Sequence, residues 1–475
     1  MSVITTAGNT ATDGTVAGSE PPGLGRSLRA RHVTMITIGG IIGAGLFVGS
    51  STCIASIGPA CIVSYGMAGL VILLVMRMLS ELAAAYPGTG AFTEFARLGL
   101  GDWAGFTSGW LYWYFWVMVV PIEAIAGGNI LHGWIGLPIW ALALALLALM
   151  TAVNLMSARS FGEFEFWFSS IKVAAIVAFI LVAGGAVAGL GAPAAGFGNL
   201  VSHGGFAPFG LLSVVAGVTS VIFAFVGAEI VTIAAVESAE PARSIARLTS
   251  SVAVRILLFY MVSITLIVAV VPWNTIHPGI SPFARALGVI GVPGAEAVMN
   301  LVVLTAVLSC LNSGLYVTSR VLFGLAAKGD APSWLVALNV RRVPARAILA
   351  GAAFGYVAVG LSVLSPGVVF SFLVSASGAI ALFNYLLVAL AQLRLRRILE
   401  RTAPERLVIR MWFFPYASWA VVAVIVAVLV AMAATPALQS QFFASLLAAL
   451  LVLAAFWIVR RRATSRLIDE PSGSQ

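Results

Sequence analysis

Runs of about twenty apolar residues, the length that crosses a bilayer as a helix, recur from end to end of this chain, and the short segments between them hold nearly all of its charge. With 61% hydrophobic and 9% charged residues, the chain lacks the polar surface that a water-soluble globular fold needs, so the bilayer must be its solvent. Helices are expected rather than a barrel. Membrane barrel strands alternate over roughly 10 residues, whereas Ile171 to Val187 is apolar on every face beyond its first two residues.

The runs place spans near 33–57, 59–83, 103–130, 136–156, 163–189, 209–236, 251–273, 295–324, 345–364, 367–393, 414–434 and 439–460, which predicts an all-α integral membrane protein of about twelve transmembrane helices. Arg26, Arg29 and Arg31 precede span one, and Arg97, Arg159, Arg243, Arg247, Lys328, Arg341, Arg342, Arg346, Arg394, Arg396, Arg397, Arg401, Arg406 and Arg410 fall in alternate connections. The opposite connections contain a single basic residue, Arg285. Lysine and arginine collect on the cytoplasmic side, so both termini are expected there. Residues 1–25, rich in Ser, Thr, Gly and Pro, lack the apolar core of a signal peptide and read as a disordered cytoplasmic tail. Residues 26–463 form the transmembrane domain, and 464–475 a second tail. The net charge of +9 is therefore a topology signal and not a nucleic-acid one, since no soluble segment is long enough to carry a groove-reading fold. All but two of the 26 basic residues are arginine, pointing to a GC-rich bacterial genome; the expected location is a bacterial inner membrane.

Two spans are irregular. In span one, Gly39-Gly40-Ile41-Ile42-Gly43-Ala44-Gly45-Leu46-Phe47-Val48-Gly49 holds five glycines, each weakening a helix by about 1 kcal/mol relative to alanine. A break and close packing through small residues are both open from this segment alone. Span six reads Val221-Ile222-Phe223-Ala224-Phe225-Val226-Gly227-Ala228-Glu229-Ile230, with a glycine beside a carboxylate near mid-membrane. Interrupted helices in corresponding positions, five spans apart, suggest an inverted five-helix repeat with a binding site between them.

A half-helix ending inside the membrane leaves N–H groups unpaired at one terminus and carbonyls at the other, each with a partial charge. Such a site suits a zwitterion. Ile41, Gly43, Ala44 and Gly45 form one side of it, where amides around Gly43 to Gly45 would hold a carboxylate; carbonyls of Phe223, Ala224 and Val226 would accept from an amine.

Three ionisable groups are placed deep, where burial is costly: Glu123, Lys172 and Glu229. Glu229 either ties down loose backbone at the span-six break or serves in proton coupling or gating. Lys172 either snorkels toward the cytoplasm or is buried and titrates. Glu123, following Pro121 late in span three, is placed in an outward vestibule as a contact for solute or gate. Span three carries Trp110, Tyr112, Trp113, Tyr114, Phe115 and Trp116, some lining the solute path and others matching an interfacial belt. In span eight, Asn312 and Ser313 are candidates for a polar wall opposite Lys172.

Nothing competes as an enzyme. His32, His132, His203 and His277 show no HExxH-type pairing, Cys53, Cys61 and Cys310 match no zinc or redox spacing, and no GxxxxGK[ST] loop is present,. No metal or cofactor is expected, and a nucleic-acid partner is not.

The segment Arg31-His32-Val33-Thr34-Met35 leading into the span-one glycines resembles the opening of bacterial amino acid permeases of the APC superfamily. Arg77-Met78-Leu79-Ser80-Glu81-Leu82 with Pro87 and Gly90, Gly162-Glu163 with Ile171-Lys172-Val173, and Asn312-Ser313-Gly314-Leu315-Tyr316 with Gly329-Asp330-Ala331-Pro332 resemble further landmarks of that family. Gly109-Trp110-Leu111-Tyr112-Trp113, Pro121-Ile122-Glu123-Ala124 and Glu229 to Ser238 look most like its GABA permeases and their close relatives. The resemblance implies a LeuT-like fold, with spans one to five and six to ten as the repeat and two accessory helices, and uptake of an amino acid with protons as coupling ion. It also implies that Gly43, Ala44 and Gly45 meet the carboxylate, that Phe223 is an aromatic gate and that Lys172 stands in a sodium-like site. Relatives often have serine or threonine where this chain has Ala44, so only the backbone contribution carries over. The loop Glu237 to Ile245 suggests a gate or hinge after span six. The expected function is proton-coupled uptake of an amino acid or GABA-like zwitterion by alternating access, with an antiporter or a non-transporting sensor as alternatives.

Overall fold

The computed structural model describes residues 41–86, 92–156, 158–190, 195–230, 241–277, 280–364 and 366–469. The expected tail over 1–25, the Gly39-Gly40 pair and the 231–240 part of the span-six connection lie outside them. The described residues are helical, with no strand. In hydrocarbon a helix satisfies every interior backbone group within itself.

In order, the helices are α1 (Ala44–Phe47), α2 (Gly49–Ile57), α3 (Cys61–Ala85), α4 (Phe92–Leu100), α5 (Asp102–Ile135), α6 (Ile139–Met156), α7 (Ala158–Val187), α8 (Gly210–Phe225), α9 (Pro241–Val270), α10 (Pro282–Ile290), α11 (Ala295–Ala327), α12 (Ala345–Leu361), α13 (Pro366–Thr402), α14 (Tyr416–Ala434) and α15 (Pro436–Asp469). Eight segments of the described residues are long and apolar enough to cross a membrane. One of them, Ala44–Ala85, covers predicted span one from Ala44 onward together with span two, and three shorter apolar helices fall at predicted spans six, seven and nine.

Burial is arranged for lipid. The most apolar stretch of α5 is 78% buried inside the protein, that of α15 only 11%, so α5 is central and α15 peripheral. On α15, Leu447, Leu450, Leu451 and Trp457 are exposed; an apolar outer face is what a bilayer, not water, selects. At 34 residues, α5 is about 51 Å long, well beyond the ~30 Å hydrocarbon core. It packs along α11, while α9 packs along α3.

At the arginine-rich end, α4 lies against α13: a Cβ at Gly99 would come within 2.8 Å of the Ala391 Cα. Arg97 pairs with Asp330 and, at 3.3 Å, with Asp102, and Lys328 reaches Glu94. Trp110 donates its indole N–H to the Asp330 carbonyl at 3.1 Å. Burial raises the Asp330 carboxyl above its usual value against the opposing pull of the Arg97 guanidinium.

Deeper on the same side, the buried Glu81 carboxylate of α3 accepts from Arg396, from Gln392 at 2.7 Å and from the Met411 amide at 2.6 Å. Removing one member of a buried pair leaves an uncompensated charge, costing about 3–5 kcal/mol, whereas two apolar replacements are often neutral. Arg396→Met is expected to destabilise the protein by about that amount, and adding Glu81→Leu to recover most of it, read by thermal unfolding in detergent.

Candidate functional site

Span one breaks where its glycines lie. Ile41 is helical, Ile42 and Gly43 are not, and α1 begins at Ala44. Three of the groups freed by the break find partners. The Ile41 carbonyl accepts from the Tyr260 hydroxyl at 3.1 Å, the Ile42 carbonyl accepts from the Lys172 ammonium at 2.6 Å, and the Ala44 N–H donates to both oxygens of Glu123 at 3.2 Å.

Span six breaks in the same manner. Its helix α8 ends at Phe225, and a turn runs over Val226 to Glu229. Gly227 has φ +119°, a conformation that side chains with a Cβ rarely adopt. Its N–H donates to both Glu229 oxygens at 3.2 Å, and the Tyr385 hydroxyl donates to Glu229 at 3.0 Å. Glu229 therefore does tie down loose backbone.

The two breaks touch. A Cβ on Gly45 would lie 2.9 Å from the Ala224 Cα, and Tyr260 faces the carbonyls of both Ile41 and Ala224 (3.0 Å). A hydroxyl has one proton, so these two carbonyls share a single donor. A cavity of about 90 Å³ opens beside the junction, with Ala44, Gly49, Ile122, Thr219 and Phe223 in its wall. Phe223 is 9% exposed, and its ring centroid lies 6.2 Å from that of Phe115.

Several predicted residues sit elsewhere than expected. Glu123 is 1% exposed, so it is not in a vestibule: α5 carries it inward to cap the span-one break, against Cys310 and within electrostatic reach of Lys172. Lys172 is fully buried, so it does not snorkel; its amine reaches the broken backbone instead of the membrane surface. Asn312 accepts from Asn154 at 2.8 Å, and the buried Ser313 hydroxyl has no hydrogen-bond partner among the described residues. A further polar neighbour of Lys172, not among the candidates from sequence, is Glu165. It is fully buried on α7, accepts from Ser309 of α11 and from Ser169 at 3.0 Å, and interacts electrostatically with Lys172. Its signal is the spacing Glu165, Ser169, Lys172, which puts the three on one helix face.

Tyr260 and Tyr385 were equally unforeseen, single tyrosines in apolar spans. Of the span-three aromatics, Tyr112, Phe115 and Trp116 are buried and Trp110, Trp113 and Tyr114 half-buried. Cys53, Cys61 and Cys310 are buried and free. No group of three or more His, Cys, Asp or Glu side chains that could hold a metal occurs among the described residues.

The arrangement offers amides and carbonyls at two helix breaks, the Lys172 ammonium and the carboxylates of Glu123, Glu165 and Glu229. The family model described as amino acid permease matches residues 32–469. The chain is similar to the γ-aminobutyric acid permease of Bacillus subtilis, 47% identical over 93% of this chain and 95% of that protein. It is also similar to a probable GABA permease of Pseudomonas aeruginosa, 45% identical over 95% of each, and to the γ-aminobutyric acid permease of Escherichia coli, 43% identical over 93% of this chain and 96% of that protein. The chain thus belongs to the amino acid permease family, multi-pass membrane proteins that carry amino-acid-type solutes and are not enzymes.

Proposed function

We propose that this permease takes up an amino acid or 4-aminobutyrate-like zwitterion together with protons by alternating access. In this reading it has twelve spans, a five-plus-five inverted repeat and both termini in the cytoplasm of a bacterial cell. One observation carries it: the Ala44 N–H, an amide expected to anchor a solute carboxylate, is held by the carboxylate of Glu123. A solute carboxylate binding there takes the place of Glu123. A displaced carboxylate at this depth is costly unless it gains a proton or a cationic partner, and Lys172 is the cation within reach. Solute entry and proton movement then become one event. The Ile42 carbonyl held by Lys172 ties the same proton carrier to the helix that must move. Relatives named for γ-aminobutyrate favour a solute whose amine and carboxylate are well separated.

Uptake into proteoliposomes of a labelled panel, 4-aminobutyrate and the common α-amino acids, tests this. Accumulation driven by an inside-alkaline gradient without internal solute is the expected result. Uptake that ignores the gradient and requires an internal amino acid makes the protein an exchanger.

A further inference from the structure

The arginine-rich end carries a feature that uptake does not use. On the extension of α13 beyond the apolar span, Arg394, Arg397 and Arg401 are exposed and have no acidic or carbonyl partner among the described residues. Their neighbour Arg396 points the other way, into the buried pair with Glu81. Spacings of three and seven residues put the three free guanidinium groups within about 60° of one another on the helix, rising about 10 Å. They border a cavity of about 610 Å³ whose remaining wall is mainly apolar and includes Leu100 of α4, Leu393 and Trp419 of α14.

We propose that this groove binds an anionic phospholipid, its phosphate on the three arginines and an acyl chain over Trp419 and the half-buried Leu390, which also lines the groove. Planar guanidinium groups pair bidentately with phosphate oxygens. Tryptophan is at home where headgroup meets chain, and here Trp419 is 48% exposed, four residues into its helix. A free phosphate ion would satisfy the arginines but leave the apolar wall in water, so the lipid is the occupant that matches both halves. Basic pockets at the ends of membrane helices take such headgroups. Because the groove joins α4, α13 and α14, a bound lipid would brace the elements around the Glu81 pair.

The test is titration of short-chain phosphatidylglycerol into the detergent-solubilised full chain. Wild-type protein should bind it at least about tenfold more tightly than phosphatidylcholine of equal chain length. Each arginine near an anionic headgroup contributes about a fivefold change, so Arg394→Gln, Arg397→Gln and Arg401→Gln together should weaken binding on the order of 100-fold. A control with the same loss of charge, Arg341→Gln, Arg342→Gln and Arg346→Gln, should change it less than about twofold. Thermal unfolding without added lipid checks that each variant is folded. Should the triple variant not fold, single Arg397→Gln, expected to weaken binding about fivefold, and Trp419→Ala, expected to weaken it as well, carry the test. Equal losses in the groove and control variants would reduce the effect to diffuse surface charge. Equal affinity for the two lipids, or full competition by inorganic phosphate at matched concentration, would overturn the site.

Discussion

Lys172→Gln is expected to bring accumulation of labelled 4-aminobutyrate in proteoliposomes down to simple equilibration. A pH difference of one unit is worth about 1.4 kcal/mol per proton, enough for about tenfold accumulation if one proton accompanies each solute. Wild-type protein should approach that ratio and the variant should stay near unity, whatever its initial rate. The reason lies in where the amine sits. It is fully buried, donates to the Ile42 carbonyl at 2.6 Å and neighbours both Glu123 and Glu165. Glutamine keeps a donor near that carbonyl and removes the charge. It also leaves two buried carboxylates without their cation, so Lys172→Gln should lower stability as well, by about 3–5 kcal/mol for an unrelieved buried charge. Adding Glu165→Gln separates the two effects. The double variant should regain most of the stability, because one uncompensated carboxylate is gone, and none of the gradient dependence. If the double variant recovers both, the lost accumulation belonged to damaged folding. Gradient-driven accumulation intact in Lys172→Gln would remove the coupling role altogether.

What could be read in advance divides along a physical line. Helix interruptions are local: glycines at 43 and 45, and Gly227 two residues before Glu229, weaken a helix wherever the chain goes, and the breaks stand at Ile42–Gly43 and Val226–Glu229. Depth is nearly local too, since position within an apolar run puts Glu123, Lys172 and Glu229 at membrane depth. Partners are not. The bond from Ala44 to Glu123 joins residues 79 apart in sequence, and that from Lys172 to Ile42 joins residues 130 apart; both depend on how the spans pack, which no local pattern specifies. Hence Glu123 was expected in a vestibule and Lys172 was open to snorkelling. Glu165 was passed over for another reason: it falls two residues inside the predicted start of span five, where a charge ordinarily belongs to a loop. Tyr260 and Tyr385 offered no signal at all, because a tyrosine in an apolar helix looks the same whether its hydroxyl meets lipid headgroups or a broken helix.

Gly43→Ala should lower uptake severely, because a methyl group there has no room. Gly43 has φ −131° and ψ −153°, extended backbone open to any residue, so the effect comes from space alone. A Cβ there would lie 2.8 Å from the Cys310 Cβ, 2.8 Å from its sulfur and 2.8 Å from a Glu123 oxygen. The carboxylate is the end of a flexible side chain and can yield, but only by leaving the Ala44 N–H. The Cys310 Cβ sits on the rigid α11 and cannot. Overpacking of this kind costs about 1–3 kcal/mol. If the strain falls on the solute-binding geometry, the rate constant kcat/KM for uptake drops about 5- to 150-fold, at 1.4 kcal/mol per factor of ten. Cys310→Gly in the same chain removes two of the three contacts and leaves the one that can move, so it should recover much of the loss. Gly227→Ala is not rescued by it, because there the φ of +119° opposes any Cβ. Initial uptake rates normalised to folded protein in the liposomes decide the matter. A Gly43→Ala variant that transports at the wild-type rate would mean that the span-one break rearranges freely and does not hold Glu123 in place.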